Sequence, residues 1–196
     1  AAIKLLTLKS RWQVQQLIQF NCPVLIFLDE PALAGFGSTE FISISRDEVA
    51  QSLEEVIAGV HAEGGLAGVH VCANTDWTLV LDSAADIVSF DAYSFFDKMI
   101  LYPEHLRKFF AEGKILAAGI VPTAAEFIEL ESVDSLTEKW FAQLSQLQAV
   151  GIDEKIIYRQ SLITPSCGTG TVSREQAIQV LELTRGVSEK IRASFS

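Results

Sequence analysis

The sequence predicts an α/β protein in which short apolar strands alternate with longer helices. Three observations support this class: the apolar runs are continuous, helical apolar spacing separates them, and helix-capping motifs precede several of the helical segments. Continuous apolar runs are typical of parallel strands that are covered on both faces. Strictly alternating strands and helices imply right-handed crossovers between parallel strands. We treat residues 1–196 as a single domain.

The first part of the chain predicts three strands with helices between them. Residues 1–20 have helical apolar spacing, and Pro23 disfavours helix in the residue before it. Ser45 and Glu48 form a capping box, and Gly64 permits the left-handed end of the helix that follows. The predicted elements are a helix over 1–20, a strand over 24–28, a helix from the capping box to Gly64-Gly65, a strand over 66–72, a short helix over 77–83 and a strand over 86–91.

The second part predicts two more strands. Pro103 suits the first turn of a helix, and Ser173 with Gln176 resembles a capping box. The predicted elements are a helix opening at Pro103, a strand over 115–121, a helix from a capping box at Ser135–Glu138 to about Val150, a strand over 156–163 and a final helix after Ser173. About five βα units therefore alternate along the chain.

Composition and charge narrow the classes of function. The net charge of −10 argues against binding to nucleic acid or to an anionic membrane, since both need clustered Lys and Arg. No apolar run reaches the roughly 18 residues that a membrane span requires. Three cysteines, an odd number, indicate a reducing and therefore cytoplasmic location. Cys22 precedes Pro23, and we expect it to be buried without a chemical role.

The residues with reactive side chains follow the predicted strands. An active site assembled from the carboxyl ends of several strands is characteristic of a (β/α)₈ barrel. No glycine-rich fingerprint for a dinucleotide or a nucleoside triphosphate follows any strand. The candidates are Asp29, Glu30, His70, Cys72, Asp76, Asp91 and Cys167.

Three of these candidates suit a metal site. His70 and Cys72 are two residues apart, so that on a strand their side chains leave the same face, and Cys167 follows another apolar run. Zinc held by three protein ligands keeps a fourth position open for a substrate. The ordinary alternative is a hydrogen-bonded histidine and two cysteines that act as small apolar residues.

Three segments together resemble a known family. They are Phe27–Leu33, His70-Val71-Cys72 and Thr164–Gly168, and they are similar to the catalytic barrel of cobalamin-independent methionine synthase and of the zinc methyltransferases that act on coenzyme M. Both groups belong to the uroporphyrinogen decarboxylase-like superfamily. The resemblance implies that the chain is the C-terminal part of a (β/α)₈ TIM-type barrel and lacks about three N-terminal βα units. A further segment or a partner chain would complete that barrel.

The resemblance also implies roles for single residues. His70, Cys72 and Cys167 match the zinc ligands of the family, and Asp91 falls where methionine synthase has a ligating glutamate. Asp29 matches the aspartate that holds the amino group of homocysteine. Glu30 and Asp76, at neighbouring strand ends, are further candidates for substrate binding.

One departure leaves the methyl donor open. Methionine synthase has an Asp-x-His pair after the strand that corresponds to residues 115–121, whereas this chain has Pro122-Thr123-Ala124 there. The donor could be a methylfolate or a methylcorrinoid protein.

The function expected from these observations is zinc-dependent transfer of a methyl group to a thiol such as homocysteine or coenzyme M. Two alternatives remain: a non-catalytic barrel with a structural zinc site, and a decarboxylase related to those that act on tetrapyrroles. The decarboxylase would not need two thiols at strand ends.

Overall fold

A computed structural model describes residues 2–30 and 45–195 of the chain. Within these residues five strands form one sheet in the order β1-β2-β3-β4-β5, which confirms the predicted α/β class. The chain separates into two compact units, Ala1–Val88 and Ser89–Ser196, and each is described by itself. Pro31, Ala32 and Leu33, which belong to the first segment of the family resemblance, lie outside the described residues.

The first unit follows the predicted order of helix and strand. Its helices and strands are α1 (Ala2–Leu17), β1 (Leu25–Asp29), α2 (Arg46–His61), β2 (Leu66–Val71), α3 (Trp77–Leu81) and the first half of β3 (Ile87–Phe90). Ser45 and Glu48 form the capping box expected at the start of α2. Gly64 has a φ of +78°, the left-handed conformation expected after that helix.

The core of the first unit lies between its helices and one face of β1 and β2. Parallel pairing places Ile26 beside Ala67 and Leu28 beside Val69. Ala67 and Val69 are fully buried, as are Ile57 of α2 and Val14 of α1. Helices α1 and α2 therefore cover only one face of these two strands.

The second unit contains the rest of β3, then α4 (Ala92–Met99), α5 (Pro103–Ala111), β4 (Ile115–Val121), α6 (Ala125–Ile128), α7 (Val133–Ala149), α8 (Glu154–Arg159), β5 (Ser161–Pro165) and α9 (Arg174–Ser194). Strand β4 begins and ends as the sequence predicts, and Ser173 with Gln176 caps α9 as expected. Helices α4 and α6 were not predicted. Strands β4 and β5 pair in parallel.

The predicted strand over 156–163 is wrong over residues 156–160 and right over residues 161–163. Residues 154–159 form α8, and β5 begins only at Ser161. Asp153 caps α8, since its carboxylate accepts hydrogen bonds from the backbone N–H groups of Lys155 and Ile156. Only Ile157 of this helix is buried. The apolar pair at 156–157 therefore packs one side of a short helix.

The predicted capping box at Ser135 is displaced by one turn. Helix α7 begins at Val133, with Ser132 as its N-cap. The hydroxyl of Ser132 accepts from the N–H of Ser135, and the hydroxyl of Ser135 accepts from the N–H of Ser132. A serine thus takes the place that glutamate usually has in such a box.

No helix in the part of the chain that the structure describes is long and apolar enough to cross a membrane. The longest helix, α9, is polar along much of its length and buries Val180, Leu183, Val187 and Ile191.

Replacement of Asp153 by alanine tests the helical assignment of residues 154–159. We expect Asp153→Ala to lower the free energy of unfolding by about 1 kcal/mol, since it removes a side-chain N-cap. Lys155→Ala, an exposed change in the same helix, is the control and should have little effect. Urea unfolding followed by circular dichroism measures both variants, and equal midpoints would contradict the capped helix.

Candidate functional site

The carboxyl ends of β1 and β2 bring Asp29 beside His70. The two residues are register partners in the parallel pair, so their side chains leave the same face of the sheet. The N–H of Glu30 donates to the carbonyl of His70 at 3.1 Å, which extends the pairing by one residue. Asp29, predicted to bind the acceptor, and His70, predicted to bind zinc, therefore lie side by side in the first unit.

The burial of β2 agrees with the prediction that His70 and Cys72 share a face. Val71 is fully buried, whereas His70 and Cys72 on either side of it are half-buried. Alternation of this kind is what a strand with one covered face produces. Strand β2 ends at Val71, so Cys72 is the first residue after the strand.

The backbone beneath this pair depends on Gly68. A Cβ atom at Gly68 would come within 2.5 Å of the ring of Phe27 on β1. Phe27 and Gly68 are register partners, on the same face as Asp29 and His70. The absence of a side chain at Gly68 thus lets an aromatic ring lie over the strand two residues before His70.

Asp76 has a structural role in the first unit. Its Oδ1 accepts from the N–H of Thr78 at 3.1 Å and thereby caps α3, and its Oδ2 lies 3.3 Å from Nε of Arg46. Arg46 also donates to the hydroxyl of Thr78 at 2.7 Å. Both carboxylate oxygens of Asp76 are thus engaged within the protein, and its predicted contact with a substrate stays a prediction.

The turn after Cys72 is held by a buried tryptophan. Trp77 is fully buried, and its Nε1–H donates to Oδ1 of Asn74 at 3.2 Å. This contact ties residue 74 to the start of α3. Asn74 and Arg46 were not singled out from the sequence, because an amide in a turn and an arginine in a first helical turn are ordinary there.

The pKa of Glu30 is raised by the surroundings of its carboxyl group. Burial, and to a smaller extent the negative charge of Asp29, raise the pKa of the Glu30 carboxyl above its usual value. The burial of Glu30 and the charge of Asp29 thus both disfavour the ionised form of the Glu30 carboxyl.

In the second unit, Asp91 and the turn that carries Cys167 meet. Asp91 follows β3 and caps α4, since its Oδ1 accepts from the N–H of Ser94 at 3.0 Å. The same oxygen lies 2.8 Å from the hydroxyl of Ser166, the neighbour of Cys167. Two candidates that are far apart in sequence are therefore linked through one serine.

The end of β4 lies close both to the end of β3 and to the turn that follows β5. A Cβ atom at Gly119 would be 2.6 Å from the carbonyl oxygen of Phe90, 3.0 Å from that of Pro165 and 3.1 Å from Cα of Ser166. The register of β4 and β5 shifts between Gly119 and Val121, as at a β-bulge. Only glycine permits this approach of three backbones.

Cys167 is exposed, and its backbone is anchored. The hydroxyl of Thr123 donates to the carbonyl of Cys167 at 2.5 Å. Gly168, the next residue, has a φ of +99°. The thiol therefore lies in a turn whose backbone is hydrogen-bonded to the loop after β4. This loop is the segment in which the sequence departs from that of methionine synthase.

The cysteines differ in their surroundings. Cys22 is exposed, so the expectation that it is buried is wrong. It follows the left-handed residue Asn21, in the turn between α1 and β1, where the chain leaves the helix before it enters the core. All three cysteines are free thiols.

The predicted ligands suit zinc by the chemistry of their donor atoms, an imidazole nitrogen, two thiolates and a carboxylate. His70 and Cys72 lie in the first unit, and Asp91 and Cys167 lie in the second. Over residues 2–30 and 45–195, no three or more His, Cys, Asp or Glu side chains form a group that could hold a metal ion. The zinc site stays a prediction.

No protein-family model matches this chain, and no curated protein matches it significantly. Membership of the methionine synthase-like family therefore also stays a prediction, based on the three segments.

Replacement of Gly119 by alanine tests the close approach of the three backbones. We expect Gly119→Ala to lower the free energy of unfolding by about 1–3 kcal/mol, because the added methyl group meets backbone atoms that cannot turn aside. Gly170→Ala is the matched control, since nothing lies within 4 Å of a Cβ atom there. Urea unfolding compares the two, and a Gly119→Ala midpoint equal to that of the control would contradict the packing.

Replacement of Glu30 by glutamine tests its raised pKa. Between the unfolded and the folded pKa the folded protein binds more protons at Glu30, so the stability of the wild type falls as the pH rises through this range. Glu30→Gln should therefore be more stable than the wild type at pH 7, and this gain should vanish at about pH 3.5, below the usual glutamate pKa.

Unfolding in urea at both pH values measures this difference. Glu138→Gln, at an exposed site of α7, removes the same charge and serves as the control. A Glu30→Gln variant whose advantage over the wild type is the same at both pH values would contradict the raised pKa.

Proposed function

We propose that this protein is a zinc-dependent methyltransferase that transfers a methyl group to a thiol. The observation that supports this most is the placement of the candidates: β1, β2, β3 and β5 each end at or just before one of them. Within the second unit, Asp91 is joined to the Cys167 turn through Ser166. Within the first, Asp29 stands beside His70.

The proposed ligands are His70, Cys72 and Cys167, with Asp91 as the fourth. A free thiol has a pKa of about 8.5 and is mostly protonated at neutral pH. Zinc would supply one step of chemistry, the deprotonation of the acceptor thiol. A reducing, cytoplasmic compartment would keep Cys72 and Cys167 free to act as ligands.

The carboxylate of Asp29 would orient the acceptor. A carboxylate at the end of β1, beside His70, can form a charge-assisted hydrogen bond with the ammonium group of an amino thiol such as homocysteine. Glu30, at the same strand end, would be a further contact for the acceptor. Asp76 would shape the turn after Cys72 rather than act on the reacting atoms.

The transfer itself is a nucleophilic displacement. The acceptor sulfur supplies the electron pair of the new S–CH₃ bond, and the bond between the methyl group and its donor breaks with its electrons left on the donor. The product is a thioether, which carries no ionisable proton. The donor would be a methylfolate or a methylcorrinoid protein.

We further propose that the chain is the C-terminal part of a (β/α)₈ barrel. In the first unit, the face of the sheet away from α1 and α2 carries apolar side chains that remain accessible: Leu25 is 39% exposed, Phe27 42% and Leu66 36%. Side chains on the inner face of such a barrel normally fill its interior. Further βα units, from another segment or from a partner chain, would cover this face.

Metal binding is the first test of this proposal. We expect the purified protein to bind one zinc ion, and Cys72→Ser and Cys167→Ser each to lose most of it, since a hydroxyl is a poor replacement for a thiolate ligand. Cys22→Ser is the matched control and should keep the ion. Zinc that stays stoichiometric in both ligand variants would contradict the assignment.

The reaction itself is tested with two donors and two acceptors. Methylcobalamin and methylfolate are each offered with homocysteine and with coenzyme M, and the thioether is measured. Zinc that is bound without any methyl transfer, and whose ligands an added thiol does not displace in X-ray absorption spectra, would favour the structural-site alternative.

A further inference from the structure

Helix α1 packs against α2 through small side chains. Ser10 and Val14 are its buried residues, and Thr7 lies three residues before Ser10 on the same side. A Cβ atom at Gly59 of α2 would come within 2.6 Å of Cγ2 of Thr7, so the two helices approach each other closely. Small residues thus form the inner face of α1, and the larger apolar side chains of this helix lie elsewhere.

The outer face of α1 carries large apolar side chains. Leu5, Leu8 and Trp12 are spaced by three and four residues and therefore lie along one side of the helix. Each of them is more than half exposed. At about 100° per residue, this side lies opposite Ser10 and Val14. A surface helix normally turns its large apolar residues inward, whereas α1 presents them to solvent.

Cations border this outer face. Lys4 and Lys9 flank the apolar residues, both are exposed, and neither forms an ion pair with any residue that the structure describes. Residues 1–28 contain three cations, Lys4, Lys9 and Arg11, and no acidic residue, so their charge is +3 against −10 for the whole chain. We refer to Lys4, Leu5, Leu8, Lys9 and Trp12 as the α1 stripe. Two such stripes facing each other would oppose like charges, so the complementary surface is acidic as well as apolar.

The chain itself carries an acidic and apolar surface at α6 and the two residues after it. Glu126 and Glu129 are exposed, and neither has an ion-pair partner over residues 2–30 and 45–195. Phe127 is 39% exposed and Leu130 78%. We refer to these four residues as the α6 ridge. It offers two carboxylates and two apolar side chains, where the α1 stripe offers two ammonium groups and three apolar side chains.

We infer that the α1 stripe of one copy of this chain binds the α6 ridge of a second copy. Contact would remove apolar surface of both copies from water, and it would pair two lysines with two glutamates that form no ion pair within the described part of one copy. The charge of −10 on each copy opposes association. At physiological ionic strength, however, charges more than about 8 Å apart are largely screened, so the close pairs outweigh this repulsion. The inference depends on neither zinc nor methyl transfer.

Analytical ultracentrifugation of the full chain at increasing concentration tests the contact. We expect a reversible equilibrium of micromolar order, since a small contact is weak. Tryptophan fluorescence gives a second readout, because Trp12 is exposed whereas Trp77 and Trp140 are buried. The emission should shift to shorter wavelength as the copies associate, and Trp12→Phe should abolish this shift. A shift that persists in Trp12→Phe would contradict burial of the α1 stripe.

Charge reversal on one surface at a time identifies both partners. Lys4→Glu with Lys9→Glu should raise the dissociation constant at least about tenfold, because like charges then face each other. Glu126→Lys with Glu129→Lys should do the same, although this change lowers the net negative charge of the chain. Circular dichroism verifies that both double variants keep the helix content of the wild type.

A mixture of the two double variants shows that the contact joins different copies. Each reversed stripe then meets a reversed ridge, and each original stripe meets an original ridge, so the equimolar mixture should recover association. Lys155→Glu with Arg174→Glu is the matched control, since it changes the net charge as much as the lysine variant does, at exposed sites of α8 and α9. This control should associate like the wild type.

An anionic lipid surface is the other occupant that a basic and apolar helix face suits. Vesicles of phosphatidylserine and phosphatidylcholine are therefore added to the wild type at a concentration where it is monomeric. An emission shift of Trp12 with vesicles but not with protein concentration would overturn the inference. So would a wild type that stays monomeric at every concentration, or a mixture of the double variants that does not associate.

Discussion

Parallel pairing is the constraint on which the arrangement of this protein depends. In the first unit it places the end of β1 against the end of β2, and in the second it places the end of β4 against that of β5. Parallel strands that are joined by helices all end on the same side of the sheet. Residues with reactive side chains therefore gather wherever these strands stop, and the helices remain free to cover the apolar face.

Small residues and short polar contacts then refine the positions of those ends. Gly119 lets β4 approach both the end of β3 and the turn after β5, which larger residues would hold apart. The hydroxyl of Ser166 lies between the carboxylate of Asp91 and the carbonyl oxygen of Gly119. Buried backbone and carboxylate groups are costly to leave unpaired, so this single side chain satisfies several requirements at once.

The candidate residues serve the fold as well as any chemistry. Asp76 and Asp91 are both helix N-caps, and Asp76 is also paired with Arg46. A carboxylate that caps a helix is held in a narrow range of orientations, which is what a metal or substrate ligand needs. In Asp91 the capping hydrogen bond and the hydrogen bond from Ser166 fall on the same carboxylate oxygen.

Four strands were predictable from the sequence because they are continuous apolar runs, and β4 matches its prediction in both bounds. The bounds of β5 were not predictable, since this strand contains Ser161, Thr164 and Pro165 and lies at an edge of the described sheet, where burial on both faces is not required. The short α8 was mistaken for it because two adjacent isoleucines resemble a strand when only one of them faces the core.

By itself, therefore, the sequence determined the α/β class, the order of the strands and of the longer helices, and the placement of reactive residues after strands, because apolar spacing and capping motifs act over a few neighbouring residues. Only the tertiary structure decided that Ser166 contacts Asp91, a residue 75 positions away, and that Arg46 holds Asp76. Such contacts depend on which strands pair and how closely their backbones approach, and no local pattern records either.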